Sequence, residues 1–305
     1  MKTLEEIISD AEKKKVAIGH FNIANLEQLK AIAHVGARLN VPVIIGVSEG
    51  EREYLGVHHV RDLVKSYNDE HANPLAGGGF RLFLNADHTR SLEKVKEAAE
   101  NGFDAILFDG SKLSFEENMA QTKEAVRIAR AISASRRTDI IVEGELGYIG
   151  GASEIREGIP EGAAIKPEDL TKPEEAARFV AETGVGMLAP AVGNIHGMFA
   201  STPDPALDIA RIRAIKDALR QAQGKPIPLV LHGASGNTDE DLRAAIDAGV
   251  SIIHISTELR AAWRKSLEEE LKEHPGEVAP YKVMPDVLKA MEKVVERHLR
   301  LFNRL

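Results

Sequence analysis

Short apolar runs alternate with longer amphipathic stretches along almost the whole chain. Eight runs read as strands: Val16–Ile23, Pro42–Ser48, Arg81–Asp87, Ala105–Gly110, Asp139–Gly147, Gly186–Gly193, Ile227–Gly233 and Ser251–Thr257. Their near-continuous apolar character is that of strands buried on both faces. Between them, apolar residues recur at i, i+3, i+4 and i+7, as an amphipathic helix requires. Over Leu26–Leu39 that series is Leu26, Leu29, Ile32, Ala33, Gly36 and Ala37, with Glu27, Lys30 and Arg38 elsewhere. The same spacing predicts helices over Ser91–Asn101, Glu117–Ile132, Pro173–Thr183, Asp208–Gln221 and Asp239–Ala248. Thr171 before Pro173 and Glu174, and Thr238 before Asp239 and Glu240, read as helix starts.

Buried strands each followed by a helix imply a parallel sheet with helical crossovers. Eight such units predict an α/β fold of the (β/α)8 TIM-barrel type, as one domain over residues 1–305. A doubly wound open sheet is the alternative. The first strand, however, runs into Phe21-Asn22-Ile23-Ala24-Asn25 with no G-x-G-x-x-G turn, so the barrel is the better reading. Lys282–Asn303 predicts an extra C-terminal helix, its stripe of Met284, Val287, Leu288, Met291, Val294, Val295 and Leu299 covering the barrel wall or a subunit interface.

Composition narrows the chemistry. The 305 residues carry 39 Lys and Arg against 47 Asp and Glu, a formal net charge of −8, which gives no overall field to attract nucleic acid or a membrane surface. No cysteine is present, which removes thiolate nucleophiles and Cys-ligated metal sites. The acid-containing start lacks an apolar signal segment, and no stretch has the roughly 20 apolar residues of a membrane span, so a cytoplasmic location is expected.

In a barrel, polar residues at strand C-terminal ends build the active site. Of eleven histidines, His88, His196 and His232 stand after three different strands and meet only at the barrel mouth. Three neutral imidazoles with an open fourth position compose a catalytic zinc site. Asp87 precedes His88, while Asp109, Glu143 and Glu145 end strands four and five. Those three acids are read as partners fixing imidazole tautomers, as ligands of an additional metal, or as structural ion pairs. His232-Gly233-Ala234-Ser235-Gly236, Ser256-Thr257 at the next helix start, and Gly193–Gly197 around His196 all suit a phosphorylated substrate. None of the strands contains lysine, and Lys112 in the loop after strand four is the nearest, so an interior Schiff-base nucleophile is missing.

The ordered set Phe21-Asn22, Asp87-His88, Glu143-Gly144-Glu145-Leu146-Gly147, Gly150-Gly151, Gly193–Gly197, Leu231–Ser235 and Thr257-Glu258 resembles the class II, zinc-dependent ketose-bisphosphate aldolases. That resemblance, which spans nearly the whole chain, implies that His88, His196 and His232 bind catalytic Zn2+ and that Asp87 is the acid/base. Asp109 and Glu145 match positions used for a second divalent metal in some members. Gly197, Gly233, Ser235 and Thr257 match phosphate contacts, with Na+ or K+ nearby in some members, and Asn22 and Ser48 match substrate-hydroxyl contacts. The implied reaction is reversible cleavage of a ketose 1,6-bisphosphate, fructose-1,6-bisphosphate first, to dihydroxyacetone phosphate and glyceraldehyde 3-phosphate. Tagatose-1,6-bisphosphate, another phosphosugar, and a non-catalytic phosphosugar-binding barrel are the alternatives, and a dimer or tetramer is implied.

The sequence departs from the family pattern at four places. Asn85 stands where a histidine leads the H-x-D-H element, and His20 precedes Phe21-Asn22 in place of alanine. His254 and Ser256 alter the strand-eight element, where an asparagine touches substrate. The loop after Gly150-Gly151 carries Glu154, the first candidate for the enolisation base, and Glu157, the second.

Overall fold

The computed structural model describes residues 2–71, 79–136, 139–149, 155–156, 167–199, 204–224 and 226–305. Eight parallel strands close into a barrel: β1 (Ile18–Asn22), β2 (Val43–Val47), β3 (Leu82–Thr89), β4 (Ala105–Phe108), β5 (Ile141–Leu146), β7 (Met187–Pro190), β9 (Leu229–Leu231) and β10 (Val250–Ile255). Two further short segments, β6 (Ile155–Arg156) and β8 (Met198–Phe199), pair with each other beside it. The predicted strands are all present, mostly shorter than expected, but β3 runs two residues past the expected end at Asp87 and β10 starts one residue before Ser251.

The helices are α1 (Leu4–Lys14), α2 (Leu26–Leu39), α3 (Glu49–Leu55), α4 (Val57–Glu70), α5 (Leu92–Glu100), α6 (Phe115–Arg136), α7 (Pro173–Thr183), α8 (Ile209–Gln223), α9 (Asp239–Ala248), α10 (Thr257–Glu273) and α11 (Pro280–Asn303). Thr238 caps α9 by accepting from the Asp241 N–H. Thr171 does not cap α7: Lys172 holds that position without a side-chain bond, and the Thr171 hydroxyl donates to the Leu146 carbonyl instead. The sequence reading gave no forecast of α1, α3 and α4, although Val57, Val60, Val64 and Tyr67 of α4 keep the spacing of an amphipathic helix. Helix α11 lies along α10 and α2, with Val287, Met291, Val295 and Leu299 fully buried. No described helix is long and apolar enough to cross a membrane.

Strand side chains alternate faces, so the barrel interior is built in layers. At its N-terminal end Leu4, Ile8 and Ala11 of α1 close the barrel against Ile18, Ile44, Phe83, Met187, Val230 and Ile252. Two residues further along the strands the inward positions become polar. They are His20, Asn85, Glu143, His232 and His254, all buried, with Asn22, Asp87 and Glu145 beyond them. An apolar plug below and a polar floor above direct all the barrel's chemistry to the C-terminal mouth.

Candidate active site

That mouth opens into a cavity of about 340 Å³ lined by Asp87, His88, Asp109, Glu145, His196, His232 and His254, among others. His88, His196 and His232 converge there, with ring centroids 4.9, 5.2 and 5.9 Å apart. One nitrogen from each lies within 4.8 Å of the others. Adjacent strand residues normally face opposite ways, yet Asp87 and His88 both line the cavity. The reason is local: His88 adopts a left-handed conformation, φ +42°, which turns its ring inward beside Asp87. Asn194 holds the loop carrying His196 by donating to the main-chain oxygen of His232 at 2.8 Å. Gly233 has φ +57°, and a Cβ there would sit 2.2 Å from the Ile195 carbonyl oxygen, so only glycine lets the two loops meet this closely.

Carboxylates orient two of the three rings. His88 Nδ1 bonds Asp109 Oδ2 at 3.0 Å, and His232 Nε2 bonds Glu143 Oε1 at 2.8 Å. With those nitrogens donating, the lone pairs are left on His88 Nε2 and His232 Nδ1. Asp109 is itself held by the Ser111 hydroxyl at 2.6 Å and by Arg90 at 3.3 Å. Of the readings open to these acids, tautomer fixing is the one that the Asp109 and Glu143 contacts suit. Glu145 lies 3.6 Å from His88 Nδ1, and His88, Asp109 and Glu145 form a second group able to converge on a cation.

Buried charge dominates the site. Burial alone would lower the His88 pKa, but Asp87, the Asp109 hydrogen bond and Glu145 push it up to about 10. Burial and neighbouring carboxylates push Glu145 up to about 8 and hold Glu143 well above the carboxylate range. Burial also opposes the charge of Asp87, yet His88, His20, His232 and the Asn22 hydrogen bond hold its carboxyl below the usual value. His232 is lowered to about 4, chiefly by burial. Asp87 Oδ1 and Glu145 Oε2 are buried with no hydrogen-bond partner. Converging imidazoles beside under-neutralised carboxylates fit a divalent cation, and nitrogen-rich donors favour zinc over magnesium or calcium.

The other expected residues that the structure describes gather here. Asn22 donates to Asp87 Oδ2 at 2.8 Å. Ser48 lines the cavity while its hydroxyl caps α3. Ser235 Oγ accepts from the Ser256 and Glu258 N–H groups at the start of α10, and Gly197, Gly233, Ser256 and Thr257 line the same side. Glu154 and Glu157 lie outside the described residues. Sequence reasoning missed a network at the rim: buried Glu51 receives Asn22 Nδ2 at 3.1 Å and Arg260 at 2.5 Å. The signal was the S-x-x-E capping box of Ser48 and Glu51, which marks a helix start and carries no functional flag.

The sequence pattern described as fructose-bisphosphate aldolase class-II matches residues 2–304. The chain belongs to that family. As a class II aldolase it is a carbon–carbon lyase, and the solved structures it resembles agree. The YdjI aldolase from Escherichia coli K12 is 28 % identical with a TM-score of 0.77, over 99 % of this chain and 97 % of that one. A putative fructose-1,6-biphosphate aldolase from Coccidioides immitis is also 28 % identical at TM-score 0.77, over 98 % and 96 %. The fructose-bisphosphate aldolase of Campylobacter jejuni, 21 % identical over 98 % and 94 % with a TM-score of 0.74, shares the fold.

Proposed function

We propose that this class II aldolase uses zinc, held by His88, His196 and His232, to cleave a ketose 1,6-bisphosphate reversibly, fructose-1,6-bisphosphate being the first candidate. The observation that carries the reading is the convergence of these three rings beside Asp87 at the cavity mouth. The barrel strands hold no lysine, which leaves electrophilic help to a metal. Bound zinc supplies Lewis acidity toward the ketone of the three-carbon half. Asp87, kept ionised and oriented by Asn22, takes the proton of the hydroxyl that becomes the aldehyde as the carbon–carbon bond breaks. Gly197, Gly233, Ser235, Ser256 and Thr257 hold the phosphate of that half near the start of α10, the end of a helix that favours an anion. Glu154 is assigned the C3 proton on sequence grounds. His88, Asp109 and Glu145 are the candidate residues for any second divalent ion, and a Na+ or K+ near the phosphate is carried over from the family alone.

The test is cleavage of fructose-1,6- and tagatose-1,6-bisphosphate by metal-loaded protein, with a chelated control. Chelator-sensitive release of dihydroxyacetone phosphate supports the reading, and release that persists without metal overturns it. The similarity to the YdjI aldolase, as high as that to the putative fructose-1,6-biphosphate aldolase, keeps other phosphosugars in the substrate panel.

A further inference from the structure

Three positions at which the sequence departs from the family pattern form one contact unit below Asp87. The rings of His20 and His254 are stacked 3.4 Å apart at an interplanar angle of 1°. Asn85 Nδ2 donates to His20 Nε2 at 3.1 Å, which leaves the His20 ring proton on Nδ1. Opposite His20 the sheet carries Gly46, where a Cβ would fall 2.1 Å from His20 Cε1, so the glycine provides the space this ring occupies. The other face of His254 meets His232, centroids 3.9 Å apart. His254 is therefore clamped on both faces and cannot turn about its ring plane without moving a neighbour.

The clamped ring faces an unfinished polar position. His254 lines the cavity, whereas His20 lies wholly behind it. His254 Nδ1 is 3.8 Å from Asp87 Oδ1, too far for a hydrogen bond, and Asp87 Oδ1 has no partner. One hydroxyl oxygen placed between them reaches both at about 2.8 Å. Asp87 Oδ2 already accepts from Asn22, whereas Oδ1 accepts from no group of the protein, which makes Oδ1 the better-placed acceptor for a substrate hydroxyl.

We infer that His254, buttressed by His20 and Asn85, is the specificity-determining residue of this aldolase: with Asp87 it holds the substrate's C4 hydroxyl and so selects the configuration at C4. The inference rests on the functional reading above. As the C3–C4 bond breaks, the C4 hydroxyl proton passes to Asp87, the C4–O bond becomes the aldehyde carbonyl, and the C3–C4 electron pair stays on the three-carbon half. His254 only positions the oxygen, and the C4 epimer whose hydroxyl points away loses that contact.

The experiment compares zinc-loaded wild type, His254→Phe and His20→Ala, each with its zinc content measured. The readouts are kcat and KM on the two C4-epimeric ketohexose 1,6-bisphosphates, and C3-proton exchange on dihydroxyacetone phosphate, which has no C4. Wild type is expected to prefer one epimer. His254→Phe lowers kcat/KM for that epimer about 10- to 100-fold and brings the two epimers within about threefold, while exchange persists. His20→Ala moves the ratio the same way by a smaller factor, although it never touches the cavity. If His254→Phe does not fold, His254→Gln replaces it, with the same expected direction. An unchanged epimer ratio overturns the inference, as does loss of exchange in parallel with cleavage. Wild-type protein that neither cleaves nor exchanges defeats the functional reading itself, and the inference with it.

Discussion

The guanidinium of Arg52 donates to the main-chain oxygen of Asp87 at 3.2 Å, on the peptide that leads into the left-handed turn at His88. The same group donates to the Val47 oxygen at 2.7 Å and to Thr89 Oγ1 at 3.0 Å, and Arg52 is only 1 % exposed. A surface-type side chain is thus spent inside the protein to fix the bend that aims two adjacent residues into one cavity. Arg52→Met removes three charge-assisted bonds and is expected to cost about 2–4 kcal/mol of stability in urea unfolding. The folded variant should bind zinc about tenfold more weakly. Wild-type affinity in Arg52→Met would separate the clamp from the metal site.

The carboxylates behind the imidazoles make a second prediction. Asp109→Ala and Glu143→Ala each leave one ring free to take the wrong tautomer, and each should weaken zinc binding about 10- to 100-fold in chelator competition. Unaltered affinity in both would contradict the tautomer assignment.

Gly46 and His20 should be energetically coupled. Gly46→Ala drives a methyl into the His20 ring and is expected to destabilise the fold by about 1–3 kcal/mol. In a His20→Ala background the same substitution should cost less than half as much. A double-mutant cycle measures the difference, and strict additivity would refute the contact.

Acid sensitivity is expected from a pair on the barrel wall. Burial opposes the charge of Glu258, but hydrogen bonds from His298 and the Gly236 N–H, with Arg297 nearby, hold its carboxyl below the usual range. A depressed folded-state pKa contributes stability above the unfolded value of about 4.3, lost as pH falls through the folded value. Wild type should exceed Glu258→Gln by about 1–3 kcal/mol at pH 7, and the gap should close as the pH drops below about 4. A gap independent of pH would show that the charge contributes nothing.

The barrel was legible because its strands are buried on both faces and spell themselves as continuous apolar runs, as Val43–Val47 and Ala105–Phe108 do. The histidine triad was legible because His88 stands at the end of β3, His232 directly follows β9 and His196 lies in the loop after β7, so all three fall at the C-terminal mouth. Arg52 and Glu51 were not, since an arginine or glutamate in a helix pattern reads as a solvated face until tertiary packing buries it. His20, Asn85 and His254 were visible singly, but their stacking depends on barrel register, His20 pairing with His254 across β1 and β10, which no local pattern encodes.

Exchange of a C3 proton of dihydroxyacetone phosphate with solvent deuterium, followed by NMR as zinc is titrated into chelator-stripped protein, tests the central claim most directly. It needs no choice of sugar. The account predicts exchange that rises with zinc to one equivalent at the triad and falls to background in His232→Ala. Exchange at full rate in stripped protein, or none in protein that holds one zinc per chain at the triad, would contradict it.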